Sequence, residues 1–216
     1  MWNEARNKAP DTASTIVQRA VGEVWQESPL VGVGDLLKTH QAVASKKFSL
    51  SERPFRDLAN LRGDVSDPAF VTAVESVTGC RPPAKPNTVA RGNGYDVLWL
   101  GPDEWLVRSQ QQQGATLEAK LTQALAGQFA SAVDIGSGYT LLEVSGEKVR
   151  DVLSRGCPLD LHPRVFAAGQ CAQSHYFKAS IVLIPVNDDT FELVVRRSFA
   201  DYFCRIMLDA ALPLLS

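Results

Sequence analysis

Long apolar runs are missing from this sequence. A helix that crosses a bilayer needs about 20 consecutive apolar residues, whereas the longest candidates here, YDVLWL and ASIVLIPV, have the length of a strand. The opening MWNEARNKAP is polar and lacks the apolar core of a secretory signal. We therefore expect neither contact with a membrane nor export, and we expect the protein in the cytoplasm.

An excess of charge is missing as well. Lysine and arginine number 22 against 24 aspartate and glutamate, which gives a formal net charge of -2. Domains that bind nucleic acid or anionic lipid carry a strongly basic surface, so this balance predicts no nucleic-acid partner. Four cysteines without an export signal indicate free thiols in a reducing compartment rather than a disulfide framework.

The 15 glycines do not form a nucleotide-binding motif. Such a motif needs a fixed glycine spacing between a strand and the helix that follows it. GVGDLL supplies only Gly32 and Gly34, RGNG falls between predicted strands, and DIGSG leads into a strand. We therefore expect no flavin, NAD or ATP on this chain.

Short amphipathic segments are abundant, and they predict an α+β fold with mainly antiparallel sheets. An N-terminal arm over residues 1–44 is expected to be partly helical or extended and to pack on partner subunits. Within it, Pro29 and two glycines predict a loop or a short extended piece over residues 28–39. A first α+β unit is expected over residues 45–128 and a second over residues 129–216.

Capping residues locate two of the helices. Asp67 followed by Pro68 is typical of a helix start, and Gly79 is typical of a helix end, so a helix is predicted between them. Ser198 is predicted to be the N-cap of the last helix, SFADYFCRIMLDAA.

The two units resemble each other in sequence. ANLRGD matches LEVSGE, a helix in each unit ends in Gly-Cys, and the hairpin VLWLGPDEWLVRS matches VLIPVNDDTFELVVRRS. The matches occur in the same order, which predicts a β-α-β-β-α unit used twice. Chance similarity between hairpins is the alternative.

Two cysteines and two histidines fall close together, at Cys157, His162, Cys171 and His175. Structural zinc sites usually contain a close cysteine pair, which this spacing lacks. A Cys157–His162 nucleophile and base is the other chemical possibility. However, Cys157 repeats the place of Cys80 directly after a helix-closing glycine, which packing explains. We therefore expect no metal ligand and no catalytic residue here.

Four residues are candidates for a subunit interface. Trp99 and Trp105 alternate with aliphatic residues on predicted strands, and Arg196 and Arg197 precede the last helix. Tryptophans on neighbouring strands are most often buried, whereas exposed ones mark an interface. The arginines are suited to an anion or an acidic partner, although solvation is the commoner outcome.

Several phrases are distinctive in their wording. LWLGPDEWLV, RDVLSRGCPLDLHPRVF, CAQSHYFKA and VRRSFADYF stand in one order within residues 45–210. Together they resemble the gamma subunit of heterotetrameric sarcosine oxidase. The stretch VDIGSGYTLLEVSGEKVRDVLSRGCPLDL is also similar to the opening of aminomethyltransferase-type folate-binding domains, which implies part of that fold.

The resemblance implies a non-catalytic subunit that assembles with alpha, beta and delta subunits. The complex would oxidise sarcosine to glycine and hydrogen peroxide and pass the one-carbon unit to tetrahydrofolate, giving 5,10-methylenetetrahydrofolate. FAD, FMN and NAD would lie on the alpha and beta subunits and zinc on delta, with no cofactor on this chain. Two alternatives stay open: the equivalent subunit of an N-methylglutamate dehydrogenase, and a stand-alone tetrahydrofolate-binding protein.

Overall fold

The described part of the chain forms two five-stranded antiparallel sheets and a short two-stranded ladder. The computed structural model describes residues 16–17, 26–43, 46–112 and 116–215. The strands are β1 (Ile16–Val17), β2 (Gln26–Glu27), β3 (Ser49–Glu52), β4 (Leu58–Arg62), β5 (Val89–Arg91), β6 (Tyr95–Gly101), β7 (Glu104–Ser109), β8 (Ser131–Asp134), β9 (Tyr139–Ser145), β10 (Ala172–Tyr176), β11 (Ala179–Asn187) and β12 (Thr190–Arg196). The helices are α1 (Gly34–Val43), α2 (Pro68–Thr78), α3 (Leu117–Ala124), α4 (Val149–Ser154) and α5 (Ala200–Leu215).

The two sheets have matching strand orders. The first is β5-β6-β7-β4-β8 and the second is β10-β11-β12-β9-β3. Each contains the three strands of the predicted β-α-β-β-α unit, one added edge strand (β5 or β10), and a fifth strand at the other edge. The α+β class, the antiparallel pairing and the repeated unit are thus confirmed.

The fifth strand of each sheet is exchanged between the two halves of the chain. β3 comes directly before β4 along the chain but pairs with β9 of the second sheet, while β8 follows α3 and pairs with β4 of the first sheet. The chain therefore crosses between the sheets twice, over residues 53–57 and 135–138. The predicted division between residues 128 and 129 stays a prediction. The strand β3 lies before this division, whereas the other strands of its sheet lie after it.

Hydrophobic side chains form three layers. One cluster packs the first sheet against α2 and α3, and a second packs the second sheet against α1, α4 and α5. A third lies between the sheets and consists of Leu58, Leu98, Leu106, Leu141, Cys171, Ile184 and Val194. Strands alternate their side chains between two faces, so each sheet presents one face to helices and the other to its partner sheet.

The predicted caps have different outcomes. The Asp67 side chain accepts a hydrogen bond from the Ala69 amide at 2.9 Å, and Gly79 ends α2 with φ of 72°, so this helix prediction is confirmed. Ser198 is not an N-cap, because it lies in a 3-10 turn and α5 begins at Ala200.

The prediction of a loop over residues 28–39 is wrong. A 3-10 turn over Val31–Val33 leads directly into α1. Leu30, Val33 and Leu37 are buried in the cluster of the second sheet, and this packing stabilises helical structure despite the glycines. Residues 1–15 and 18–25 lie outside the described residues.

Candidate functional site

The second sheet separates Cys157 from Cys171, and the two histidines lie at the protein surface. Cys157 lies in the helix-facing cluster, whereas Cys171 lies between the sheets. His162 and His175 are exposed, and each bonds locally: His162 Nδ1 accepts from the Arg164 amide, and His175 Nδ1 is 3.0 Å from the Phe177 carbonyl oxygen. These four side chains do not meet at one point. No group of three or more metal-ligating side chains is found among the residues that the structure describes.

The cysteine thiols are used in packing. Cys171 is fully buried and its Sγ approaches the carbonyl oxygens of Trp99 and Thr88 at 3.5 and 3.6 Å. Burial raises the pKa of the Cys171 thiol to about 11 and that of Cys204 to about 12. A thiol that stays protonated at neutral pH is a poor nucleophile and a poor metal ligand.

The two tryptophans differ in exposure. Trp105 is fully buried, packs against Phe70 with ring centres 5.5 Å apart, and donates its Nε1 hydrogen to the Pro83 carbonyl at 2.8 Å. The interface prediction is therefore wrong for Trp105, because its strand turns this side chain toward α2. Trp99 is half-buried against the same cluster.

An ion cluster between the sheets was not predicted. Arg108 Nε and Nη2 donate to Asp96 at 3.1 and 2.7 Å, and Nη2 also donates to Glu192 of the second sheet. Burial alone lowers the pKa of the Arg108 guanidinium, but Glu192 and Asp96 outweigh burial and raise it. The cluster joins the two sheets electrostatically.

The sequence contained a signal for this cluster. Asp96 and Arg108 interrupt the apolar runs YDVLWL and EWLVRS, and the two residues are direct cross-strand partners in the β6–β7 hairpin. A charged pair at matched positions of two apolar strands indicates a buried ion pair. Glu192 had no comparable signal, because its contact joins residues 84 positions apart.

The two crossover connections lie beside the N-terminal arm and enclose a cleft of about 50 Å³. The Glu52 carboxylate accepts from Ser28 Oγ at 2.6 and 2.7 Å and from Thr140 Oγ1 at 2.7 Å. Phe55, in one crossover, has φ of 57°, which is a strained conformation for an aromatic residue. Glu52 thus connects Ser28 of the arm to Thr140 of the second sheet through hydrogen bonds.

A wider groove of about 830 Å³ lies beside this cleft, and both predicted interface arginines line it. Arg196 and Arg197 are exposed where β12 ends. The Arg196 guanidinium carbon is 5.9 Å from the centre of the Tyr139 ring. Arg197 Nη1 donates to the Glu27 carbonyl at 3.0 Å. The structure thus brings the two arginines together on one surface.

None of the helices within the described residues is both long and apolar enough to cross a membrane.

Comparison with known proteins identifies similar chains. The family described as "Sarcosine oxidase, gamma subunit family" matches residues 62–212. The sarcosine oxidase subunit gamma of Corynebacterium sp. (strain P-1) is 30% identical over 171 residues, which cover 79% of this chain and 83% of that protein. The corresponding protein of Corynebacterium sp. (strain U-96) is 26% identical over 186 residues, which cover 86% of this chain and 89% of that protein.

Two solved structures are similar to this chain, one in sequence and fold and the other in fold alone. A chain of the heterotetrameric sarcosine oxidase from Corynebacterium sp. U-96, in complex with pyrrole 2-carboxylate, superposes with a TM-score of 0.80 at 26% identity. The match covers 88% of this chain and 97% of that chain. The glycine cleavage system aminomethyltransferase T from Bartonella henselae matches with a TM-score of 0.57 at 13% identity, covering 80% of this chain and 48% of that chain. The second likeness is one of fold alone.

Proposed function

Because this chain belongs to the sarcosine oxidase gamma subunit family, we propose that it is the non-catalytic gamma subunit of a heterotetrameric, flavin-dependent oxidoreductase in the cytoplasm. The complex would convert sarcosine to glycine, hydrogen peroxide and 5,10-methylenetetrahydrofolate. Alpha, beta and delta subunits would be its partners. FAD, FMN, NAD and zinc would reside on those partners.

One observation carries this proposal. The described fold matches one chain of a heterotetrameric sarcosine oxidase over 97% of that chain's length. The chain thus has the fold of one subunit of such an assembly. This correspondence supports the proposal of an assembly role, in which the other subunits would carry the chemistry.

The state of the chain's own reactive side chains supports a non-catalytic role. Cys157 and Cys171 are buried in different clusters, and Cys171 and Cys204 have raised thiol pKa values. His162 is bound to its own turn through the Arg164 amide. Buried thiols in separate clusters and a locally bonded histidine do not fit a zinc-ligand set.

Co-expression with the partner subunits tests the assembly role. We expect the chain to elute with its partners in one stoichiometric complex that shows flavin absorbance. A colourless, stable monomer with no affinity for those partners would contradict the proposal.

Turnover by the same complex tests the non-catalytic role. Cys157→Ser and His162→Gln, made separately, should leave turnover within about threefold of the unmodified complex, because Cys157 is buried in a packing cluster and His162 bonds within its own turn. A loss of several orders of magnitude in an intact complex would show that one of them takes part in catalysis.

Two alternatives predict different results. If the partners oxidise N-methylglutamate rather than sarcosine, the assembled complex will show that preference in its kcat/KM values. The likeness in fold to aminomethyltransferase T favours folate binding as a second candidate function. Equilibrium dialysis of the isolated chain against tetrahydrofolate should give little binding under our proposal, and clear binding under that candidate.

A further inference from the structure

The groove that contains Arg196 and Arg197 lies open on the surface. It is bounded by the arm at Glu27 and Val31 and by Tyr139 at the start of β9. Val31 is 42% exposed although it is apolar. Its lining contains two arginines and one acidic residue, Glu27, so the groove presents a net positive charge beside apolar and aromatic walls.

Both guanidinium groups are held in place without a carboxylate. Arg196 is the cross-strand partner of Tyr139, and its guanidinium lies near the face of that ring. Arg197 is held by a backbone carbonyl of the arm. Within the described residues, neither guanidinium is ion-paired with an acidic side chain, so both keep their charge available for another molecule.

Two other exposed arginines of this chain, Arg62 and Arg205, differ in this respect. Arg62 pairs with Asp103 and Glu104, and Arg205 pairs with Asp201 on α5. A guanidinium binds carboxylates preferentially, through parallel N–H···O bonds. Two adjacent arginines, oriented but not ion-paired, are therefore suited to two carboxylates from outside the chain.

We propose that this groove receives an acidic segment of a partner subunit, with carboxylates of that segment paired to Arg196 and Arg197. An apolar side chain of the same segment packs against Val31 and Tyr139. This inference rests on the proposed function, since it assigns a docking surface to the assembly. A protein segment fits this groove because it can supply carboxylates for the arginines and an apolar side chain for the walls.

The test is a binding measurement on the full chain and its partner subunits. Arg196→Glu combined with Arg197→Glu should weaken association by at least about tenfold, because two attractive charge pairs become repulsive. Raising the salt concentration should weaken binding of the unmodified chain and change binding of this variant far less. Arg81→Glu combined with Arg164→Glu is the matched control. It makes the same charge change at two exposed arginines elsewhere, and should leave affinity within about twofold.

A milder variant guards against loss of folding. Arg196→Gln combined with Arg197→Gln removes the charges without repulsion, and its thermal unfolding should match that of the unmodified chain. It should still reduce affinity severalfold and flatten the salt dependence. Unchanged affinity in the folded Gln and Glu variants would overturn the inference.

Two further results would also count against an acidic partner segment in this groove. If the unmodified chain fails to bind the partners at all, the proposed function fails, and this inference fails with it. If sedimentation shows that the chain alone forms a dimer which the Glu substitutions abolish, a second copy occupies the groove and the inference is overturned.

Discussion

The two units share one strand order, yet their cores are completed by different parts of the chain. The first sheet is covered by α2 and α3, and α3 has only 8 residues. The second is covered by α4, by the 16-residue α5, and by α1 from the N-terminal arm. The repeated unit thus gives both sheets the same topology. Segments outside the repeat, such as α1, help to cover the second core only.

The exchanged strands make the two units dependent on each other. Each sheet has as its fifth strand the segment that comes directly before one of the two crossovers, β3 or β8. Between the sheets lie one hydrophobic cluster and the Arg108 ion cluster. The units therefore have separate helix-facing cores and one shared layer, and three predictions test this distinction.

The largest effect is expected in the shared layer. Arg108→Ala removes the buried cation between Asp96 and the partly buried Glu192, and leaves Asp96 with Arg91 at 3.9 Å as its remaining ion-pair partner. This should lower the free energy of unfolding by about 3–5 kcal/mol. Urea denaturation measures this loss. Arg62→Ala is the control, because it breaks an exposed ion pair and should cost less than about 1 kcal/mol. Equal losses in both variants would show that the sheets do not depend on the buried cluster.

A medium loss of stability is expected at Gly63 and Gly146, the glycines that follow equivalent strands in the two units. A Cβ on Gly146 would lie 2.5 Å from the Lys47 carbonyl oxygen, and φ there is 119°. A Cβ on Gly63 would instead meet the Phe70 ring, at 2.2 Å. Gly146→Ala should cost roughly 2–4 kcal/mol, because backbone strain adds to the contact, and Gly63→Ala should cost less, because a ring can shift.

Thermal and urea unfolding of both variants compare the two units at this position. Gly138→Ala is the control, since its Cβ would meet nothing within 4 Å, and it should be nearly neutral. A larger loss for Gly63→Ala than for Gly146→Ala would reverse the expected order of the two units.

The smallest effect concerns Cys171 in the shared layer at high pH. Folding raises the thiol pKa from 9.0 to about 11, so the folded state binds this proton more tightly. This contribution to stability is present below pH 9 and is lost as pH rises toward 11, by about 1 kcal/mol at pH 10. In urea unfolding, the free energy of unfolding of Cys171→Ala should fall less between pH 8 and pH 10 than that of the unmodified chain. Cys80 is only half-buried, so Cys80→Ala is the control and should keep most of the pH dependence of the unmodified chain. An equal fall in the free energy of unfolding in all three proteins would contradict the prediction.

Local signals predicted individual elements well. The α2 helix followed from Asp67, Pro68 and Gly79, because capping depends on residues within one turn. The prediction for Trp105 failed, since alternation along a strand shows that two faces exist without showing what covers each. Helix α1 was missed because burial of Leu30, Val33 and Leu37 outweighs the low helix propensity of the glycines.

For the candidate surface, the sequence supplied the residues and the fold supplied the groove. The Arg196–Arg197 pair stood out before the last helix, but its neighbours Glu27, Val31 and Tyr139 come from the arm and from β9. Contacts between segments so far apart leave no local pattern. Their placement depends on which sheet the chain enters after each crossover.

The sequence by itself determined the α+β class, the repeated unit and the family resemblance, because each depends on short-range patterns and residue phrases. Tertiary structure decided the exchange of β3 and β8, the burial of Arg108 between two carboxylates, and the exposure of Arg196 and Arg197. The physical reason is that strand pairing and desolvation are properties of residues brought together across long sequence separations. The local sequence does not specify these contacts.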